Sequence, residues 1–152
     1  MNGADDVAAG CELCAEPGGH LIAGSARWRV IRAEDASFPA FYRVVWNAHR
    51  TEFTDLGADE RIECMTVVAA VESALRELLQ PTKVNLASLG NAVAHVHWHV
   101  VARFDWDTHF PRPVWAEPMR EVTPPAIERL RVDLAQLDAA VAQRLDALSL
   151  VL

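Results

Sequence analysis

His95-Val96-His97-Trp98-His99-Val100-Val101 alternates imidazole and apolar side chains with period two. On a β-strand that period sends His95, His97 and His99 to one face and Val96, Trp98 and Val100 to the other. The apolar set belongs to a core. Three imidazoles gathered on the opposite face gain nothing from packing, so chemistry is the stronger reading. The residues leave two chemistries open. Three histidines on one strand are a ligand set for a catalytic metal. Alternatively, one imidazole is a nucleophile and its neighbours place an anionic substrate.

The flanking chain supports a strand at this place. Lys83-Val84-Asn85-Leu86-Ala87 reads as a strand, Leu89-Gly90-Asn91 supplies turn chemistry, and 93–102 reads as a long strand, so the two form a hairpin. Further upstream, Asp55 to Gln80 carries Ile62, Met65, Val68, Val71, Leu75, Leu78 and Leu79 at helical spacing, with Asp59 and Glu60 near its start and Pro81 at its end. Cys64 sits within that pattern and reads as a small buried residue. Trp28–Arg32 and Phe41–Trp46 read as two more strands, separated by the turn Ser37-Phe38-Pro39-Ala40. Downstream, 104–118 is irregular, with three prolines and two tryptophans, and should pack over something. A last helix is expected from Thr123-Pro124, bearing Ile127, Leu130, Leu134, Leu137, Val141, Leu145 and Leu148. Its stripe lies on its own sheet or on a partner chain.

Composition narrows the class. The chain has 152 residues, 51% hydrophobic and 23% charged, enough for one domain with a real core. Twenty-one acidic residues against 14 basic ones give a net charge of -7, which disfavours nucleic acid as a partner. No apolar run reaches the length of a membrane span and 1–10 lacks a secretory pattern, so a cytoplasmic protein without membrane contact is expected. In that compartment Cys11-Glu12-Leu13-Cys14 reads as metal or redox chemistry before a disulfide. Redox work is the weaker option, because the pair precedes coil rather than opening a helix after a strand.

The pattern His-φ-His-φ-His-φ-φ, with φ apolar, resembles the signature of the histidine triad (HIT) superfamily of nucleotide hydrolases and transferases, and every position from His95 to Val101 fits. The preceding long helix, the strand with Asn85 and the turn at Gly90 fit as well. The run from Asp107 to Trp115 is similar to the tail of bacterial diadenosine tetraphosphate hydrolase-like members. The resemblance implies a HIT-like α+β fold, an antiparallel sheet of about five strands with the long helix packed on it and a C-terminal helix added. Domain limits follow as a flexible tail over 1–10, a HIT domain over 11–118 and a helical extension over 119–152.

The resemblance also implies a mechanism. His97 is the nucleophile that attacks the α-phosphorus, giving a nucleotidyl-histidine intermediate that water resolves. His99 bonds phosphate oxygens and assists the leaving group, and His95 orients its neighbours or binds metal. Asn85 and Asn91 are phosphate or leaving-group contacts, Asp35 is the candidate ribose acid with Glu34 as the other option, and His109 is a candidate near the site. Many members join an N-terminal Cys pair to a histidine after the second strand and to the first triad histidine. Here Cys11, Cys14, His49 and His95 would hold structural zinc, with no cofactor needed for the chemistry. The family implies a homodimer. Members commonly carry Ser or Thr three residues before the triad, where this chain has Ala92, so one phosphate hydrogen bond is missing. From a different class, a nucleotide-sensing module without catalysis is the alternative, and a three-His metalloenzyme is another.

Overall fold

The computed structural model describes residues 6–149. The expected tail therefore has 1–5, and the C-terminal extension 150–152, outside the described residues. Within them, Asp6 is tied to the body: its carbonyl accepts the His49 N–H at 2.8 Å.

Five strands form one antiparallel sheet, the α+β arrangement expected. They are β1 (His20–Gly24), β2 (Trp28–Arg32), β3 (Phe41–Trp46), β4 (Lys83–Ala87) and β5 (His97–Arg103), in the spatial order β1-β2-β3-β5-β4. Three of the expected strands, β2, β3 and β4, and the β4–β5 neighbour relation appear as read. β1 has no sequence signal of its own: it is an edge strand, mostly exposed, with a bulge between Leu21 and Ala23 that breaks any alternation. The triad strand is shorter at its start than 93–102. The His95 N–H bonds the Val93 carbonyl at 2.9 Å, a tight bend that keeps 93–96 out of the regular ladder.

The helix expected over Asp55–Gln80 is α2, Ala58–Leu79. Asp55 instead lies in a 3₁₀ turn, Phe53–Asp55, where its carboxylate accepts the Glu52 N–H at 3.0 Å. Gly57 is the N-cap, and Glu60 accepts its N–H at 2.7 Å. Gln80 closes the helix in the left-handed region with φ 47°, ahead of Pro81. Cys64, Val67, Val68, Val71, Ala74 and Leu75 are buried in the core shared with the sheet and the last helix; Ile62, assigned to that stripe by spacing, is 65% exposed.

The last helix does not start at Thr123. Pro124 and Pro125 leave only a 3₁₀ turn, Ala126–Arg129, and α3 runs over Leu134–Ser149. Asp133 caps it: its carboxylate accepts the Gln136 N–H at 2.8 Å while the Gln136 amide oxygen accepts the Asp133 N–H at 3.2 Å. Leu137, Val141 and Leu145 are buried against α2 and β1, so the stripe is used by its own domain. Asp138 anchors the helix to the sheet, accepting the Tyr42 hydroxyl at 2.6 Å and the Arg32 guanidinium at 2.9 and 3.0 Å.

Both helices therefore cover one sheet face, built from Trp28, Val30, Tyr42, Val44, Trp46 and Val100. The other face, with Ile31, Phe41, Val45, His97, His99 and Val101, is covered by a short N-terminal helix, α1 (Glu12–Ala15), and by the aromatic loop 104–118. That loop is held by Arg103, which is 2% exposed. It donates to Asp107 at 2.8 and 3.0 Å, to the Asn85 side chain at 2.8 Å and to the Arg112 carbonyl at 2.7 Å.

Candidate active site

β5 opens on His97, so the period-two expectation holds for His97 and His99 and their rings stand side by side, 4.9 Å apart at 84°. Both are nearly buried, at 8% and 6% exposure. Nδ1 of His97 lies 2.6 Å from the His95 carbonyl. A carbonyl only accepts, so Nδ1 carries the proton and Nε2 keeps its lone pair. Nε2 has no hydrogen-bond partner among the described residues. That is the state a nucleophilic imidazole needs.

His99 faces a residue that sequence reasoning missed. Arg43 of β3 lies directly across from it in the ladder, and its Nε–H donates to His99 Nδ1 at 3.4 Å. The same guanidinium donates to the Gly18 carbonyl at 3.3 Å and lies 5.3 Å over the Phe41 ring. Burial lowers its pKa, with Glu12 and Asp35 acting the other way. A single cation inside an otherwise apolar strand was the available signal.

Burial, then His97 and Arg43, push His99 down to about 4 from the ordinary 6.5. The folded chain therefore takes up this proton less readily than the unfolded chain. The associated stability is complete above about pH 6.5 and is lost as pH falls toward 4. The urea midpoint is expected to fall between pH 7 and pH 5, and less so in His99→Gln; equal slopes would contradict this.

The two rings open into a cleft of about 460 Å³. Arg43 and the histidines form its floor, Glu12 and Leu13 of α1 one wall, and 89–93 the other, with Trp115 at the mouth. Trp115 is half exposed, its ring 5.1 Å from His99. Of the expected substrate contacts, Asn91 lines the cleft, as does Ala92. Three others do not. Asn85 is on the same sheet face but is held by Arg103 and lines a neighbouring groove. Asp35 spends its carboxylate on the turn, accepting the Ser37 and Phe38 N–H groups at 2.9 and 3.1 Å. His109 packs on Phe38 at 5.0 Å and pairs through Nδ1 with the Thr108 hydroxyl at 2.6 Å. Glu12 and Leu13 were read only as the spacer of the Cys pair; nothing in the sequence placed them over the triad.

His95 leaves the other two. Its Nε2 lies 2.6 Å from the Trp46 carbonyl, so that nitrogen carries the proton and Nδ1 the lone pair. Burial holds its pKa below the ordinary value, which keeps the ring neutral. Nδ1 faces Cys11 Sγ at 3.4 Å, Cys14 Sγ at 3.6 Å and His49 Nδ1 at 3.3 Å, and Cys14 Sγ is 3.4 Å from His49 Nδ1. All four ligand atoms lie within 4.8 Å of one another. A tetrahedron with bonds of about 2.3 Å to sulfur and 2.0 Å to nitrogen has edges of roughly 3.3–3.6 Å for these pairs. The four residues fit a metal ion. Among the described residues no other group of three or more such side chains comes together, so the three-His ligand set is not formed.

A family model described as HIT domain matches residues 17–106. Among solved structures, the chain is similar to a histidine triad protein from Bradyrhizobium japonicum, with 27% identity and a TM-score of 0.67 over 84% of this chain and 91% of that one. A histidine triad protein from Marinobacter aquaeolei VT8 has 25% identity and a TM-score of 0.68, over 90% and 95%. A zinc-bound histidine triad family protein from Mycobacterium smegmatis shares the fold at 22% identity and a TM-score of 0.61, over 91% and 97%. No curated protein matches the chain.

Proposed function

The chain belongs to the HIT domain family, and from that premise we propose that it is a nucleotide hydrolase or nucleotidyl transferase working through His97. The substrate is a dinucleoside polyphosphate or a nucleoside phosphoramidate. Family membership by itself suggests nucleotide binding with hydrolase or transferase activity. The observation that carries the finer reading is the free Nε2 of His97, aimed by the bond from Nδ1 to the His95 carbonyl.

In this reading Nε2 attacks the α-phosphorus, the P–N bond forms and the bond to the leaving group breaks. The charge gained by the ring is met at Nδ1–H by the carbonyl already in place. Water then attacks the same phosphorus, the P–N bond breaks, and a nucleoside monophosphate leaves with His97 restored. His99 offers its ring to the phosphate oxygens. Leu13 and Trp115 give apolar surface for a base. With Ala92 where a hydroxyl is common, the leaving group is held less closely. The test is a panel of diadenosine polyphosphates, adenosine phosphoramidate and aminoacyl adenylates, followed by AMP release. AMP binding without release from any of them would leave a sensor instead.

Zinc is the metal that suits two thiolates and two imidazoles, a closed set with a structural role. The zinc-bound relative from M. smegmatis supports this choice. We also place two chains in a homodimer that joins their sheets. β4 is an edge strand and Leu86 on it is 41% exposed, an apolar edge that pairing would cover. A solution mass of two chains is expected by light scattering; a single-chain mass would oppose it.

A further inference from the structure

Arg43 is placed at a cost. It is half-buried, and burial lowers its pKa. Its hydrogen-bond partners are a carbonyl and an imidazole, and it takes part in none of the ion pairs among the described residues. A cation desolvated for so little pairing calls for a functional reason. The hydrogen bond to His99 has only one possible sense. A guanidinium has donors and no acceptor, so Nδ1 of His99 must hold a lone pair. In a neutral imidazole the proton is then on Nε2.

We propose that Arg43 is a positioning residue for His99: its Nε–H selects the tautomer with the proton on Nε2 and presents that N–H to the cleft beside His97. The inference rests on the nucleotidyl-transfer reading of the cleft and adds the residue that divides the labour within it. His97 and His99 then hold opposite tautomers. The first has its proton on Nδ1, fixed by the His95 carbonyl, and a lone pair on Nε2. The second has its lone pair on Nδ1, fixed by Arg43. One ring is a nucleophile and its neighbour a donor to the same phosphoryl group. With the other tautomer of His99, two lone pairs would face an anionic phosphate.

The experiment reads the imidazole nitrogens of the resting, ¹⁵N-labelled protein by NMR, alongside the kinetics of Arg43→Met and Arg43→Gln. The native protein is expected to show His99 protonated at Nε2 and bare at Nδ1. Arg43→Met is expected to mix the tautomers and lower kcat roughly 10–100-fold, with KM moving far less. Arg43→Gln keeps an N–H donor without the charge and should recover most of the rate. Native His99 protonated at Nδ1, or an unchanged tautomer in Arg43→Met, would overturn the assignment. So would a rise in KM alone, which would make Arg43 a substrate contact. If no substrate turns over, the functional reading falls, while the tautomer measurement still decides the Arg43–His99 relation.

Discussion

His97→Asn is expected to abolish AMP release, by about 10⁴-fold or more, while the protein stays folded. The choice of Asn matters. Its side-chain amide places an N–H near where Nδ1 stood, so the bond to the His95 carbonyl, 2.6 Å in the native chain, keeps a donor. What disappears is Nε2 and its lone pair, the atom that would form the P–N bond. Circular dichroism and the melting temperature should stay near native values, because His97 lines the cleft rather than the helix-covered core. Incubation of the native protein with substrate and rapid acid-free quenching should trap nucleotide on the chain, and the variant should trap none. Unchanged turnover in purified His97→Asn would remove the nucleophile assignment and, with it, the covalent mechanism.

The second large effect concerns the metal. Purified protein is expected to contain one zinc per chain. Stripping it should lower the melting temperature by roughly 8–16 °C, taking a site filled at about 1,000 times its Kd, worth about 4 kcal/mol. The reason lies in what the four ligands join. α1 has four residues, too few to be stable by itself, and it carries one wall of the cleft through Glu12 and Leu13. Its attachments besides Cys11 and Cys14 include the bonds from Arg29 to the Leu13 and Glu16 carbonyls, at 2.7 and 3.2 Å. Removing the ion frees that wall, so KM should rise together with the loss of stability. Cys14→Ser should reproduce both changes without chelator. Metal-free protein from zinc-replete growth, with a melting temperature indifferent to chelator, would show that the cluster is only a set of hydrogen-bonded thiols and imidazoles.

Much of the frame was legible beforehand because it is written in local periodicity. A seven-residue alternation identified β5 and the two faces it separates, and the apolar spacing from Met65 to Leu79 identified α2. Pro81 marked where that helix stops. Errors fell where a competing local interaction outweighed the pattern. Asp55 was taken by a 3₁₀ turn, Pro124 and Pro125 delayed α3 until Asp133 could cap it, and the bend at Val93–His95 removed the first histidine from the strand. β1 was missed because an exposed, bulged edge strand has no alternation to show.

The site divides in the same way. Sequence alone determined that His97 and His99 share a face, since side-chain direction along a strand is a property of the backbone. The link between Cys11, Cys14, His49 and His95 came from resemblance, and Asn85, Asp35 and His109 were named and then found occupied elsewhere. Only the tertiary structure decided that Arg43 meets His99, 56 residues away in the chain. It alone placed Glu12 and Leu13 beside the triad, and turned the His95 ring to Cys11, Cys14 and His49 while its carbonyl stays with His97. These depend on cross-strand register and on how loops close over a sheet. Register is a global choice among pairings whose local patterns are equally satisfied, so no short stretch of sequence contains it.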